Sequence, residues 1–109
     1  MKGKVFALAL SAIVFMTAPS FAQSYPDRAI EWLVPSPAGG GTDTAARQLA
    51  KLVEAEIGQP IAILNVAGGG GSVGMTQFVK GKSDGYTLAA IWNGPVTTIP
   101  NVQPVPYKP

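Results

Sequence analysis

Apolar residues fall in a nearly unbroken run at Ala29-Ile30-Glu31-Trp32-Leu33-Val34, which Pro35 ends. Such a run suits a strand covered on both faces, as in a parallel sheet. The period then changes. From Thr44 to Ile57, Leu49, Leu52, Val53 and Ile57 recur at spacings of three and four, with Arg47, Lys51, Glu54 and Glu56 on other faces. This spacing predicts an amphipathic helix with Leu49, Leu52, Val53 and Ile57 inward, Thr42 or Asp43 as its N-cap and Gly58 as its stop. After Pro60, Ile61 to Val66 reads as a second strand rich in β-branched residues. Val73 to Lys80 reads as a shorter helix with Met75, Phe78 and Val79 on its apolar side and Ser72 as a possible cap. Asp84-Gly85 marks a turn, Tyr86 to Trp92 a third strand, and Val96 to Pro109 a proline-rich irregular end. Strands alternating with helices predict an α/β fold of parallel strands joined by right-handed crossovers.

Between strand and helix lie two glycine-rich loops, Pro35-Ser36-Pro37-Ala38-Gly39-Gly40-Gly41-Thr42-Asp43 and Ala67-Gly68-Gly69-Gly70-Gly71-Ser72-Val73-Gly74. A third opens at Asn93-Gly94-Pro95. All three leave the carboxyl ends of strands, where ligands of open parallel sheets bind. A helix start has about four N–H groups without intrahelical partners and roughly half a positive charge. Two such starts facing one crevice make a grip for a small anion. Neither loop contains Arg or Lys, which favours a carboxylate held by amides over a phosphate. A plainer alternative is that the glycines only make tight turns. Gly69 to Gly74 also satisfies G-x-G-x-x-G between a strand and a helix, but the next strand ends at Asn93 where a dinucleotide site wants an acidic residue. Asp43 reads as a helix cap or as a partner for a ligand ammonium. Trp32 and Trp92 read as core residues within strands, Trp92 near enough to a strand end to line the crevice, while Ser36 and Asn93 stand one residue into their loops, within reach of a ligand oxygen.

The start of the chain changes the charge picture. Lys2 and Lys4, the apolar stretch Val5 to Met16 and Ser20-Phe21-Ala22 form the three-part pattern of a secretory signal peptide over residues 1–22. The net charge of +2 comes from those two lysines, so residues 23–109 are formally neutral. No basic face supports nucleic-acid binding. The chain has no cysteine and no histidine, which excludes disulfides, an acylated-cysteine anchor, Ser-His-Asp and Cys-His catalytic sets and histidine-ligated metal. The proline-rich end, with no closing element, suggests a truncated first domain.

Tyr25-Pro26, Ile30 to Pro35, Ala38-Gly39-Gly40-Gly41-Thr42-Asp43, Ala46-Arg47, Leu49-Ala50, Gly58-Gln59-Pro60, Asn65 with the Gly68-to-Gly74 loop, and Asp84-Gly85-Tyr86-Thr87-Leu88 together resemble the periplasmic substrate-binding receptors of tripartite tricarboxylate transporters, the Bug receptors. Tyr107-Lys108-Pro109 is similar to the family's Tyr-Asp-Pro stretch. The second loop departs from the family, having Val66-Ala67 where members carry Arg-Pro after the Asn. The resemblance implies the βαβαβ half of a two-domain, type II-like periplasmic binding fold, exported to the periplasm. It implies a non-enzymatic, monomeric receptor with no cofactor, which passes a small organic carboxylate to membrane transporter subunits. It places the ligand against Ser36, Ala38, Gly39, Gly40, Gly41, Thr42 and Asp43 of the first loop. Gly69, Gly70, Gly71, Ser72 and Val73 of the second and Asn93 and Gly94 of the third complete the set. A nucleotide-dependent oxidoreductase and an inactive gene fragment are the competing readings.

Overall fold

The computed structural model describes residues 24–108; the expected export signal at residues 1–22 lies outside them. Strand β1 (Ile30–Val34) is followed by helix α1 (Gly41–Ile57), strand β2 (Ile61–Asn65), a 3₁₀ turn (Gly69–Gly71), helix α2 (Ser72–Lys80) and strand β3 (Thr87–Ala89). A π-helical turn (Gly94–Thr98) and a short helix α3 (Ile99–Val102) complete it. The three strands form a parallel sheet in the order β2-β1-β3. Placing β1 between its two successors requires two crossovers in opposite directions, and right-handed crossovers then put α1 and α2 on opposite faces.

The side-chain alternation of β1 agrees. Ile30 packs with Ala50 of α1 and Ile61 of β2, and Trp32, Val53, Ile57 and Ile63 pack around this cluster. Pro35, of the opposite parity and fully buried, lies against Gly74 of α2. Fully burying a Val or Leu side chain stabilises by roughly 1.5–3 kcal/mol, and Leu33 and Val34 in this central strand are both essentially inaccessible.

The inner face of α1 differs from the expected one. Leu49 and Leu52 are 49% and 68% exposed, whereas Asp43, Ala46 and Ala50 are buried. The face that meets the sheet runs through Asp43, Ala46, Ala50, Val53 and Ile57, spaced by three and four residues, and its alanines let the helix lie close to the strands. On α2, Met75 is buried but Val79 is 45% exposed.

Strand β3 is shorter than the predicted Tyr86-to-Trp92 span. It pairs with Glu31, Trp32 and Leu33, and the Ala90 N–H still reaches Leu33 O at 2.9 Å. Beyond that point β1 offers Pro35, which has no N–H, so the ladder ends and Trp92 falls in a loop. The stretch expected to be irregular is instead partly helical, because Pro95 and Pro100 both sit at the first turn of their helical segments, where a missing N–H costs nothing. The Tyr107 hydroxyl donates to Pro95 O at 2.7 Å and ties the end of this segment down. Among the described residues no helix is long and apolar enough to cross a membrane.

Candidate functional site

The parallel register brings the loops together. Val34 lies opposite Asn65, and Leu33 opposite Ala89, so all three loops leave the sheet at nearly one level. Val34 O accepts both the Val66 N–H (2.9 Å) and the Ser36 N–H (2.8 Å), which joins the first two loop exits at one carbonyl.

In the first loop Gly39 has φ +82°, the left-handed region that suits glycine, and a Cβ there would meet nothing within 4 Å. Gly41 is equally open. The predicted cap is corrected: α1 begins at Gly41 with Gly40, in extended conformation, as N-cap and no side-chain cap bond. The first helical hydrogen bond runs from Thr44 N–H to Gly40 O at 2.9 Å, which leaves the N–H groups of Gly41, Thr42 and Asp43 ahead of the helical ladder.

Asp43 therefore stands in the first turn rather than at the cap, and it is 3% exposed. Its Oδ2 accepts the Gly39 N–H (2.8 Å) and Arg47 Nε (3.0 Å), and its Oδ1 accepts Asn65 Nδ2 (2.9 Å). Asn65 Nδ2 also donates to Ser36 O at 3.2 Å, while Asn65 Oδ1 accepts Arg47 Nη2 at 3.0 Å. The Arg47 hydrogen bond, then that of Gly39, then that of Asn65 hold the Asp43 carboxyl down at a pKa of about 2. Ser36 Oγ is buried and has no hydrogen-bond partner among the described residues.

The second loop is built differently. Gly68, Gly69, Gly70 and Gly71 all have positive φ, and the turn closes through Gly71 N–H to Gly68 O at 2.9 Å. Gly71, not Ser72, is the N-cap of α2; the Ser72 hydroxyl instead accepts Gln103 Nε2 at 3.4 Å. The chain itself crowds this loop. A Cβ on Gly70 would lie 2.9 Å from Ile99 Cδ1, and one on Gly71 would lie 2.5 Å from Pro95 and 3.3 Å from the Trp92 ring. Val73 is half exposed. In the third loop Gly94 lies under the Trp92 indole, and Asn93 O accepts the Thr97 hydroxyl.

Ser36 and Ala38 to Asp43 thus share one loop edge with Asn65, and Gly71 meets the third loop through Trp92 and Pro95. Sequence reasoning missed Arg47, Asn65 and Pro95 as parts of this assembly. Asp43 and Arg47 are four residues apart on a helix, a spacing that could have exposed the pair, and Asn65 is the one polar residue of an otherwise apolar strand.

The pattern of the tripartite tricarboxylate transporter family receptor matches residues 45–109. Protein BugT of Bordetella pertussis is 40% identical over 95 residues, a match covering 85% of this chain and 29% of BugT. A TctC solute binding protein from Polaromonas shares 40% identity at a TM-score of 0.56, over 60% of this chain and 23% of that one. MatC of Rhodopseudomonas palustris, solved with bound malate, shares 38% identity at a TM-score of 0.57, over 60% and 22%. The chain therefore spans less than a third of each of these relatives. The family consists of receptors, not enzymes, which sets the oxidoreductase reading of the second loop aside. This chain belongs to the tripartite tricarboxylate transporter receptor family.

Proposed function

We propose that the chain forms the gripping edge of a periplasmic receptor that captures a small organic carboxylate for a tripartite tricarboxylate-type transporter. The observation that carries this is the start of α1, where the Gly41, Thr42 and Asp43 amides precede the helical ladder beside the open space at Gly39 and Gly41. An anion placed there gains the amide hydrogen bonds and the helix dipole without a cationic side chain. The adjacent Asp43 charge does not oppose it, because that carboxylate is turned to Gly39, Arg47 and Asn65. The malate bound in MatC supports the carboxylate class. The second and third loops, from Gly69 to Val73 and at Asn93-Gly94, wall the crevice.

The test is a thermal-shift and calorimetric screen against C4 to C6 organic acids, with malate first and NAD as the control. A ligand at about a hundred times its Kd raises stability by roughly 2.7 kcal/mol. Gly41→Val adds a side chain where nothing stands within 4 Å. We expect it to keep the fold and to weaken malate by about tenfold, the equivalent of one good hydrogen bond. Unchanged malate affinity in Gly41→Val, or stabilisation by NAD with no response to any acid, overturns the reading.

A further inference from the structure

We propose that Asp43 is the positioning residue of this site: with Asn65 and Arg47 it straps the first loop to the end of β2, keeping the α1 amides aimed and the nearest cation withdrawn. This rests on the carboxylate-receptor reading and adds to it a division of labour among residues that do not touch the ligand.

Three observations carry it. First, the contacts exceed what a helix cap needs. A first-turn carboxylate that only capped α1 would bond the N–H of the N-cap, Gly40, whereas Asp43 accepts from Gly39, one residue further into the loop, at 2.8 Å. Asp43 also reaches Asn65 at 2.9 Å, at the end of strand β2 and 22 positions along the chain, and Asn65 in turn holds Ser36 O. The triad closes on itself through Arg47 Nη2 and Asn65 Oδ1. Second, the loop needs a restraint from outside itself. Gly39 is at φ +82° with open space on its Cβ side, so no side chain of its own anchors the turn. Third, the charges balance inside the triad. Arg47 spends Nε on Asp43 and Nη2 on Asn65, so the cation nearest the loop is already committed. The grip is left to neutral amides, whose selectivity rests on hydrogen-bond geometry more than on net charge.

The experiment compares wild type with Asp43→Asn and with Asn65→Ala, reading amide hydrogen exchange in the ligand-free protein and malate affinity at low salt and at about 0.5 M salt, where exposed charges are screened. Asp43→Asn keeps one acceptor oxygen but turns an Nδ2 donor against either Asn65 Nδ2 or the Gly39 and Arg47 donors, and for this mismatch we expect exchange at Gly39 to speed up by about tenfold, with the β1 amides unchanged. Malate affinity should fall by about tenfold at high salt and by less at low salt, because the freed Arg47 charge then attracts the anion. That new salt dependence separates positioning from a merely structural role. Asn65→Ala leaves the Asp43 bond to Gly39 and the ion pair with Arg47 in place and removes the attachment to β2, so it decides the matter should Asp43→Asn fail to fold. Unchanged Gly39 exchange in the variants, a loss of protection that extends through β1, or a loosened loop with wild-type malate affinity each overturns the proposal. If wild type itself ignores malate, the receptor reading is what fails, and the exchange arm still decides the strap.

Discussion

Gly74 decides how closely α2 approaches the first loop, and substituting it by alanine gives a calculable conflict. A Cβ at Gly74 would stand 2.6 Å from Pro35 Cβ, 2.8 Å from Val66 O and 2.9 Å from Pro35 Cα, whereas ordinary contact begins at 3.4 Å. The methyl is therefore about 0.5–0.8 Å too close to three atoms at once. A proline ring and a backbone carbonyl cannot swing aside as a long side chain does. Overpacking of this kind costs typically 1–3 kcal/mol, and with rigid obstacles on two sides the upper end applies. Against it stands the helix preference of Ala over Gly, about 1 kcal/mol. The steric term wins, leaving a net loss of about 2 kcal/mol, or roughly 8–16 °C in Tm for a domain of this size. Thermal unfolding followed by circular dichroism measures this directly. Gly41→Ala is the matched control, since it adds the same methyl in open space and should be neutral or gain up to about 1 kcal/mol. A Gly74→Ala protein as stable as wild type would show that α2 is free to shift away from Pro35 and that this contact does not set the spacing of the two loops.

Two further outcomes follow from the hydrogen bonds. Glu54 Oε1 accepts the Ile61 N–H at 2.6 Å, tying α1 to the first residue of β2; Glu54→Ala strands that donor and should cost about 1–2 kcal/mol in urea unfolding, whereas Glu54→Gln, which keeps an acceptor, should recover most of it. The Asp43 pKa is depressed from 3.8 to about 2 in the fold, so its contribution is fully present above pH 4 to 5 and lost as pH falls through about 2. The difference in urea midpoint between wild type and Asp43→Asn should therefore be constant near neutrality and shrink below pH 4, and an equal difference at pH 2.5 and pH 6 would contradict the assignment.

The parts of the fold that the sequence made legible are those decided within a few residues. Pro35 ends β1, Gly58 takes the left-handed C-cap of α1 at φ +66°, and β2 begins directly after Pro60. What stayed hidden depends on partners far along the chain. The length of β3 is set by where its neighbour β1 meets a proline, and the inner face of α1 is chosen by closeness to the sheet, which favours Ala46 and Ala50 over the larger leucines. The candidate site divides in the same way. Its glycine loops are visible in one dimension, but the reason Asp43 turns inward is Asn65, 22 positions away, and no spacing within one helix discloses that.

The two loops look alike in sequence and differ in what their glycines are for. Gly39 is held to glycine by its φ of +82°, but at Gly41 a side chain would meet nothing and the backbone is not left-handed, so neither packing nor conformation requires glycine there, and under the proposed function the space is the ligand's. At Gly70, Gly71 and Gly74 a side chain would strike Ile99, Pro95, Trp92 or Pro35, so the chain's own close approach already requires glycine there. Substitutions should separate accordingly. Changes at Gly41 act on ligand affinity with little effect on Tm, while changes at Gly71 lower Tm first and affinity only through it. A plot of affinity against stability across such variants would put the two loops on different lines, and a single common line would mean that the first loop, too, is there to pack.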